Sequence, residues 1–321
     1  MVLITGGTGF LGKYLVEACL EAGLEVRLLV RGAKERKLPY GSLVEVVDGD
    51  ILDVVSLEKA VEGVDFVIHA AAMVSFWGKD RERLREVNVD GTANVVNACL
   101  DANIRRLVHV SSIAAIGRSG GSQLNDEESP VLLSQANSGY ARSKILAERQ
   151  IYRGIAEGLE AVIVNPGLIL GPGEWTSGTP KLFATIAEGM RFYPAGMVGV
   201  VSAKDVAKAC LQVMEGEVAE GERFVLVAEN MPYQRLFGKI AQALQVTPPS
   251  KGLAPWLARL AGTLAEQWAN LWGKQPLITR ASMRSATQPD QYDGSKIERM
   301  EVDYQDTEQL IEETAAAFLS R

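Results

Sequence analysis

A chain of 321 residues with 47% hydrophobic residues has enough apolar material for a large core and room for one α/β unit with an appended lobe. Its formal net charge of -7, without a run of lysine or arginine, argues against a nucleic-acid-binding surface. Cys19, Cys99 and Cys210 are scattered in apolar helical patterns, so they read as buried thiols of a reducing compartment, and two isolated histidines, His69 and His109, offer little from which to build a zinc site.

In chain order, "MVLITGG" is a strand running straight into a glycine loop, which leaves no place for a signal peptide and predicts a cytoplasmic protein. The runs "VLIT", "EVRLLV", "VEVV", "DFVIHA", "RLVHVSS" and "AVIVNPG" alternate with segments of helical periodicity. Nearly continuous Val, Ile and Leu marks strands buried on both faces, so the order predicts a doubly wound parallel sheet, the Rossmann arrangement, over residues 1–170. From about Leu170 a loop rich in Gly, Pro, Ser and Thr leads into helices, the short strand "RFVLVA" and an acidic final helix. Residues 171–321 therefore read as a smaller, mainly helical substrate lobe, some segments of which return to the first sheet. No apolar run approaches the roughly 20 residues that span a bilayer.

Gly6, Gly9 and Gly12 follow the first strand and open a helix, where glycines let the backbone approach a pyrophosphate at a helix N-terminus. About 20 residues on, where an NAD site carries an acid, this chain has Arg31, followed by Lys34, Arg36 and Lys37, a set suited to the 2′-phosphate of NADP. The same residues could form only a solvated basic loop. Asp50 follows the third strand and "HAAA", His69 to Ala72, the fourth; small alanines there allow a cofactor to lie against the strand ends. In "YARSK", Tyr140 and Lys144 stand four apart and share one helix face, so an ammonium can act on a phenol.

Together "TGGTGFLG", "GDILD", "HAAA", "NVDGT", "VHVSSIAAIG", "YARSK" and "NPG" resemble the extended short-chain dehydrogenase/reductase (epimerase/dehydratase) family through roughly the first 170 residues, with "SAKDVAKA" and "YDGSKIE" a less specific continuation. The pattern is most similar to the branch of dihydroflavonol 4-reductase-like and 3β-hydroxysteroid dehydrogenase-like proteins. The resemblance implies that Tyr140 exchanges a proton with a carbonyl oxygen, that Lys144 lowers the phenol pKa and holds the nicotinamide ribose, and that Ser112, aligned through Gly117, donates a hydrogen bond to that oxygen, with Ser111 nearer the cofactor. It also implies a cofactor cradle of Gly6, Thr8, Gly9, Phe10, Leu11 and Gly12, then Arg31, Asp50, Ile51, Ala70, Ala71 and Ala72, then Pro166, Gly167 and Leu168. Met73, Ser75 and Phe76, in "MVSFWGKD", are expected to line the substrate pocket together with Ser112 and Tyr140. Asn88 supports the active-site backbone or a water, or merely packs its helix.

The activity implied is an NADP-dependent hydride transfer between nicotinamide and the carbonyl or secondary alcohol of a small molecule, in a protein able to form a homodimer. An NAD-dependent sugar-nucleotide epimerase or dehydratase uses the same Ser, Tyr and Lys, and a non-catalytic dinucleotide sensor shares the fold. Finally, Trp256, Leu257, Leu260, Leu264, Trp268, Leu271 and Trp272 recur at helical spacing in residues 255–272. Two readings stand: a helix packing its stripe on the lobe, or a lid over a bulky apolar or aromatic substrate that touches a membrane surface when open.

Overall fold

The computed structural model describes residues 1–35, 38–118, 124–133, 138–272, 276 and 278–321. Arg36, Lys37 and the side chains of Lys34 and Leu271, named above, lie outside the described residues. The first part runs β1 (Val2–Thr5), α1 (Phe10–Glu21), β2 (Val26–Val30), β3 (Val44–Asp48), α2 (Val54–Val61), β4 (Phe66–His69), α3 (Arg81–Arg85), α4 (Gly91–Asp101), β5 (Arg106–Val110), α5 (Gly139–Ala156) and β6 (Ala161–Pro166). The second runs β7 (Leu168–Leu170), α6 (Lys181–Ala187), β8 (Phe192–Pro194), β9 (Met197–Ser202), α7 (Ala203–Glu215), β10 (Arg223–Leu226), β11 (Glu229–Pro232), α8 (Tyr233–Ala243), β12 (Lys251–Leu253), α9 (Pro255–Trp272), α10 (Arg280–Ala286) and α11 (Thr307–Leu319).

Seven parallel strands in the order β3-β2-β1-β4-β5-β6-β10 form the main sheet. Alternate side chains of a strand face opposite sides, and β1 shows the consequence. Val2 and Ile4 join Leu15, Val16 and Cys19 of α1 and Val206, Cys210 and Val213 of α7 in one core. Leu3 turns to the other side, with Leu57 and Val61 of α2 and Val95, Val96 and Cys99 of α4. Burial on both faces is why these strands need unbroken Val, Ile and Leu.

The strand order reverses between β1 and β4, and such a switch point opens a crevice at the carboxyl ends of the strands. The second part supplies a three-stranded sheet, β11-β9-β7, and its own apolar cluster built on Phe183, Val200, Met231, Leu236, Ile240, Ile311 and Phe318. β7 follows β6 after a single residue, Gly167, whose N–H donates to Leu226 O at 2.9 Å. The second part is thus anchored at the edge of the crevice. Tyr14 of α1 also donates its hydroxyl to Pro172 O at 2.7 Å, which fastens the segment after β7 over the start of α1.

In α9 the apolar stripe does not pack inward. Trp256, Leu260, Leu264, Trp268 and Trp272 are all exposed, whereas Ala258, Gly262 and Ala269 are buried. The reading of a stripe packed on the lobe is corrected: α9 docks against α10 through its small residues. Close approach of two backbones favours small side chains at the contact, so the bulky ones must face away.

Candidate active site

The glycine loop sits at the switch point against the alanine run. Gly6 has a φ of 78°, and a Cβ added there would lie 2.6 Å from Ala71 N; one added at Gly12 would lie 2.1 Å from Gly6 O. Side chains at these positions would break the loop, so the backbone itself forms the surface. Ala70 N and Ala71 N donate to the backbone oxygen and the hydroxyl of Thr5 at 3.1 and 3.3 Å. α1 starts at Gly9 with no side-chain cap and no acid in its first turn. Its free N–H groups and dipole therefore suit an anion such as a pyrophosphate, with Thr8 and Gly9 exposed beside it.

Arg31 directly follows β2, with its side chain 66% exposed and Nη1 3.8 Å from the Asp50 carboxylate. Asp50 Oδ1 also accepts from Leu52 N at 3.0 Å, so the turn after β3 holds the acid in place. Ile51 is buried, and its carbonyl accepts from the Asn94 amide at 3.0 Å.

Across the crevice, Ser112 ends the extension of β5 and Tyr140 opens α5, which Ser138 caps through Ala141 N at 3.0 Å. The Ser112 hydroxyl faces the Tyr140 phenol closely enough to ease its ionisation. Because Ala114 N donates to Ser112 Oγ at 3.2 Å, the hydroxyl proton of Ser112 is free to point toward the phenol oxygen. Burial raises the Tyr140 phenol above its ordinary range, and the Ser112 hydroxyl opposes that shift. The expected depression by Lys144 does not occur: desolvation dominates, and the Lys144 ammonium donates to Val110 O at 2.8 Å. Lys144 itself is 3% exposed, and burial pushes its pKa down to about 8 despite the nearby Glu148.

Glu148, a residue the sequence reading passed over, holds the back wall together. It is 3% exposed; its Oε1 accepts from Ser111 Oγ at 2.5 Å and from Asn165 Nδ2 at 2.6 Å, and its Oε2 pairs with Arg223 of β10 at 3.4 Å. Ser111, expected nearer the cofactor, thus turns its hydroxyl to this carboxylate. Asn165 also donates to Ser112 O at 3.0 Å, tying β6 to the backbone of the neighbouring serine. The available signal was spacing: Glu148 lies four residues after Lys144 on the same helix face.

Asn88 supports backbone. In a π-helical turn over Glu86–Asp90, its amide accepts from Met73 N at 2.7 Å and donates to Met73 O at 2.9 Å, fixing the segment that continues from the alanines. Phe76 lies beside the Tyr140 ring, centroids 5.7 Å apart, and Val74 is 63% exposed. Ser75, expected in the pocket wall, is instead 2% exposed, and its hydroxyl donates to Asp80 at 2.5 Å. Behind Lys144 the buried rings of His69 and His109 lie 5.3 Å apart. His69 contacts the hydroxyls of Thr5 and Thr92 at 2.7 and 3.0 Å, whereas neither ring nitrogen of His109 has a partner among the described residues. Burial holds the pKa of His69 down at about 3 and that of His109 well below the usual imidazole range. Among the described residues, no group of three or more His, Cys, Asp and Glu could hold a metal, and no helix is long and apolar enough to cross a membrane.

The family model of the NAD dependent epimerase/dehydratase family matches residues 2–226. A Synechocystis sp. protein provisionally named a dihydroflavonol 4-reductase is 31% identical over 299 residues, 91% of this chain and 87% of the relative. The sterol demethylase protein B of Methylococcus capsulatus is 34% identical over 245 residues, 76% of this chain and 73% of the relative. The Thermus thermophilus UDP-glucose 4-epimerase in complex with NAD shares the fold, with a TM-score of 0.78 at 23% identity, over 99% of this chain and 98% of that one. With its doubly wound sheet, glycine loop and Ser-Tyr-Lys group in one crevice, this chain belongs to the NAD dependent epimerase/dehydratase family of extended short-chain dehydrogenases/reductases, among its dihydroflavonol 4-reductase-like oxidoreductases.

Proposed function

We propose that the protein is an NADP-dependent reductase, or alcohol dehydrogenase in reverse, acting on the carbonyl of a bulky apolar or aromatic small molecule. The observation that carries this reading is the Ser112 hydroxyl facing the Tyr140 phenol, with Lys144 one turn further along the same helix. The nicotinamide, when bound, supplies or accepts the hydride. Tyr140 keeps its proton because burial raises its pKa, so the phenol donates to the carbonyl oxygen as negative charge develops there. Ser112 gives the same oxygen a second hydrogen bond. Lys144 spends one of its three N–H bonds on Val110 O and has two left for the nicotinamide ribose hydroxyls. The uncapped start of α1 would hold the pyrophosphate, the Ala70–Ala72 run would lie along the cofactor, and Pro166, Gly167 and Leu168 would offer backbone groups to the nicotinamide amide.

The choice of NADP rests on Arg31. An exposed ion pair such as Arg31–Asp50 contributes only about 0–1 kcal/mol, whereas a charged hydrogen bond to a phosphate contributes about 1.5–3 kcal/mol. Arg31 would therefore exchange Asp50 for a 2′-phosphate, and NADPH should bind about tenfold to a hundredfold more tightly than NADH. The apolar Val74 and the Phe76 ring beside Tyr140 support an apolar substrate. Buried free thiols at Cys19, Cys99 and Cys210 support a cytoplasmic setting, and a homodimer is the assembly we expect.

Titration of both dinucleotides and a carbonyl panel followed by NADPH absorbance test the proposal. Tyr140→Phe should cut turnover at least about 100-fold while leaving NADPH affinity unchanged. Near-normal rates in that variant, or equal affinities for the two cofactors, would overturn it. The fold shared with an NAD-bound epimerase favours a second reading, sugar-nucleotide epimerisation with a retained cofactor. Tightly bound NAD in the purified protein, with turnover of sugar nucleotides, would establish that reading instead.

A further inference from the structure

The outward face of α9 has no counterpart elsewhere on the described surface. Trp256, Trp268 and Trp272 are 66, 67 and 67% exposed, and Leu257, Leu260 and Leu264 are 40, 49 and 56% exposed. At 100° per residue these six side chains fall within one half of the helix, while Ala258, Gly262 and Ala269 fill the opposite side. The tryptophans mark both ends of the stripe and the leucines its middle. A tryptophan carries an apolar body with one N–H donor and suits the boundary between water and hydrocarbon.

Charge decides what covers this face. Residues 250–286 hold five cations, Lys251, Arg259, Lys274, Arg280 and Arg284, against one acid, Glu266, in a chain whose net charge is -7. Lys251, Arg259, Arg280 and Arg284 are exposed. A basic segment carrying an apolar ridge on an otherwise acidic protein complements an anionic surface, whereas a two-fold contact between copies would set these cations against each other. A ridge confined to one helix is enough for a helix lying in a membrane interface, where it inserts between lipid heads without needing a complementary partner surface.

We infer that α9 is an interfacial membrane-docking helix: the protein sits on an anionic lipid bilayer with Trp256, Leu260, Leu264 and Trp268 inserted at the headgroup level, and the positive charge of residues 250–286 draws this part of the molecule to the lipid phosphates. The docking is independent of the catalytic reading, since none of these residues is assigned to catalysis or to cofactor binding.

Flotation of the purified full chain tests the inference, with vesicles of phosphatidylcholine alone and of phosphatidylcholine containing one third phosphatidylglycerol. The bound fraction should be at least about tenfold higher on the anionic vesicles and should fall with added salt. Brominated acyl chains in those vesicles should quench the tryptophan fluorescence of the wild type, a readout that needs no variant. The double variant Leu264→Glu, Trp268→Glu should lose binding at least about tenfold, with its circular dichroism and NADPH affinity unchanged. The inference fails if the wild type floats with neither vesicle, or if the double variant floats as the wild type does. It also fails if sedimentation shows a dimer that the double variant splits while vesicles bind neither form, because a second copy would then cover the face.

Discussion

α5 and α9 are both helices of 18 residues, and they solve opposite problems. α5 buries charge: Lys144 and Glu148 are each 3% exposed. α9 exposes apolar bulk: its tryptophans are about two-thirds accessible. In α5 each buried polar group is matched by a partner on another element, Val110 for Lys144 and Ser111, Asn165 and Arg223 for Glu148. In α9 the helix is held by backbone proximity to α10, so its exposed tryptophans and leucines are not needed for core packing. Where a helix is fastened by specific partners, deleting one side chain is costly; where it is fastened by small residues, adding one is.

The largest effect expected from that contrast is in α5. Glu148→Ala removes the carboxylate from the Arg223 guanidinium, the Asn165 amide and the Ser111 hydroxyl, and loss of one member of a buried charge pair costs about 3–5 kcal/mol. Urea unfolding measures it; a loss under about 1 kcal/mol would show that water replaces the carboxylate easily. Next is Gly262→Leu in α9. A Cβ there would stand 2.5 Å from the backbone C and O of Thr279, so overpacking should cost about 1–3 kcal/mol. Faster proteolysis between residues 255 and 280 would report the helix lifting off α10, and unchanged digestion would contradict the small-residue docking.

A smaller effect follows from the histidines. His69 titrates at about 3 in the folded protein against 6.5 ordinarily, and His109 is lowered too. Between those values the unfolded chain binds protons that the folded chain does not, so stability must fall as pH falls below 6.5. Each histidine contributes about 1.4 kcal/mol per pH unit there. Glu148, whose pKa burial raises, works in the opposite direction. The difference between wild type and His109→Gln therefore isolates the effect: the variant should lose less stability between pH 6.5 and 5.5, and parallel curves would mean that His109 accepts a proton in the fold. The smallest change belongs to α9 again. Trp268→Ala removes a side chain that is 67% exposed and should shift stability by no more than about 0.5 kcal/mol. A large loss would mean that the ring packs on the protein after all.

Much of the fold was legible because parallel strands buried on both faces must be written in Val, Ile and Leu; "VLIT" and "AVIVN" stand out for that reason. Tyr140 and Lys144 were visible together because one helical turn separates them. Glu148 is one turn further, yet nothing local shows that Asn165 of β6 and Arg223 of β10 converge on it. The phenol pKa is a similar case. Spacing places an ammonium near Tyr140, but whether charge or burial dominates depends on the depth of the crevice, and burial does.

The sequence by itself determined the order of elements, the glycine loop at a helix start and the composition of each helix face, since these follow from periodicity and from which residues tolerate which backbone. Only the tertiary structure decided which side of a helix faces inward. The stripe of α9 is apolar enough to be core, and it is displaced from the core by Ala258, Gly262 and Ala269, whose small size lets two helix backbones come together. Periodicity reports that two faces differ; contact between neighbouring backbones selects between them.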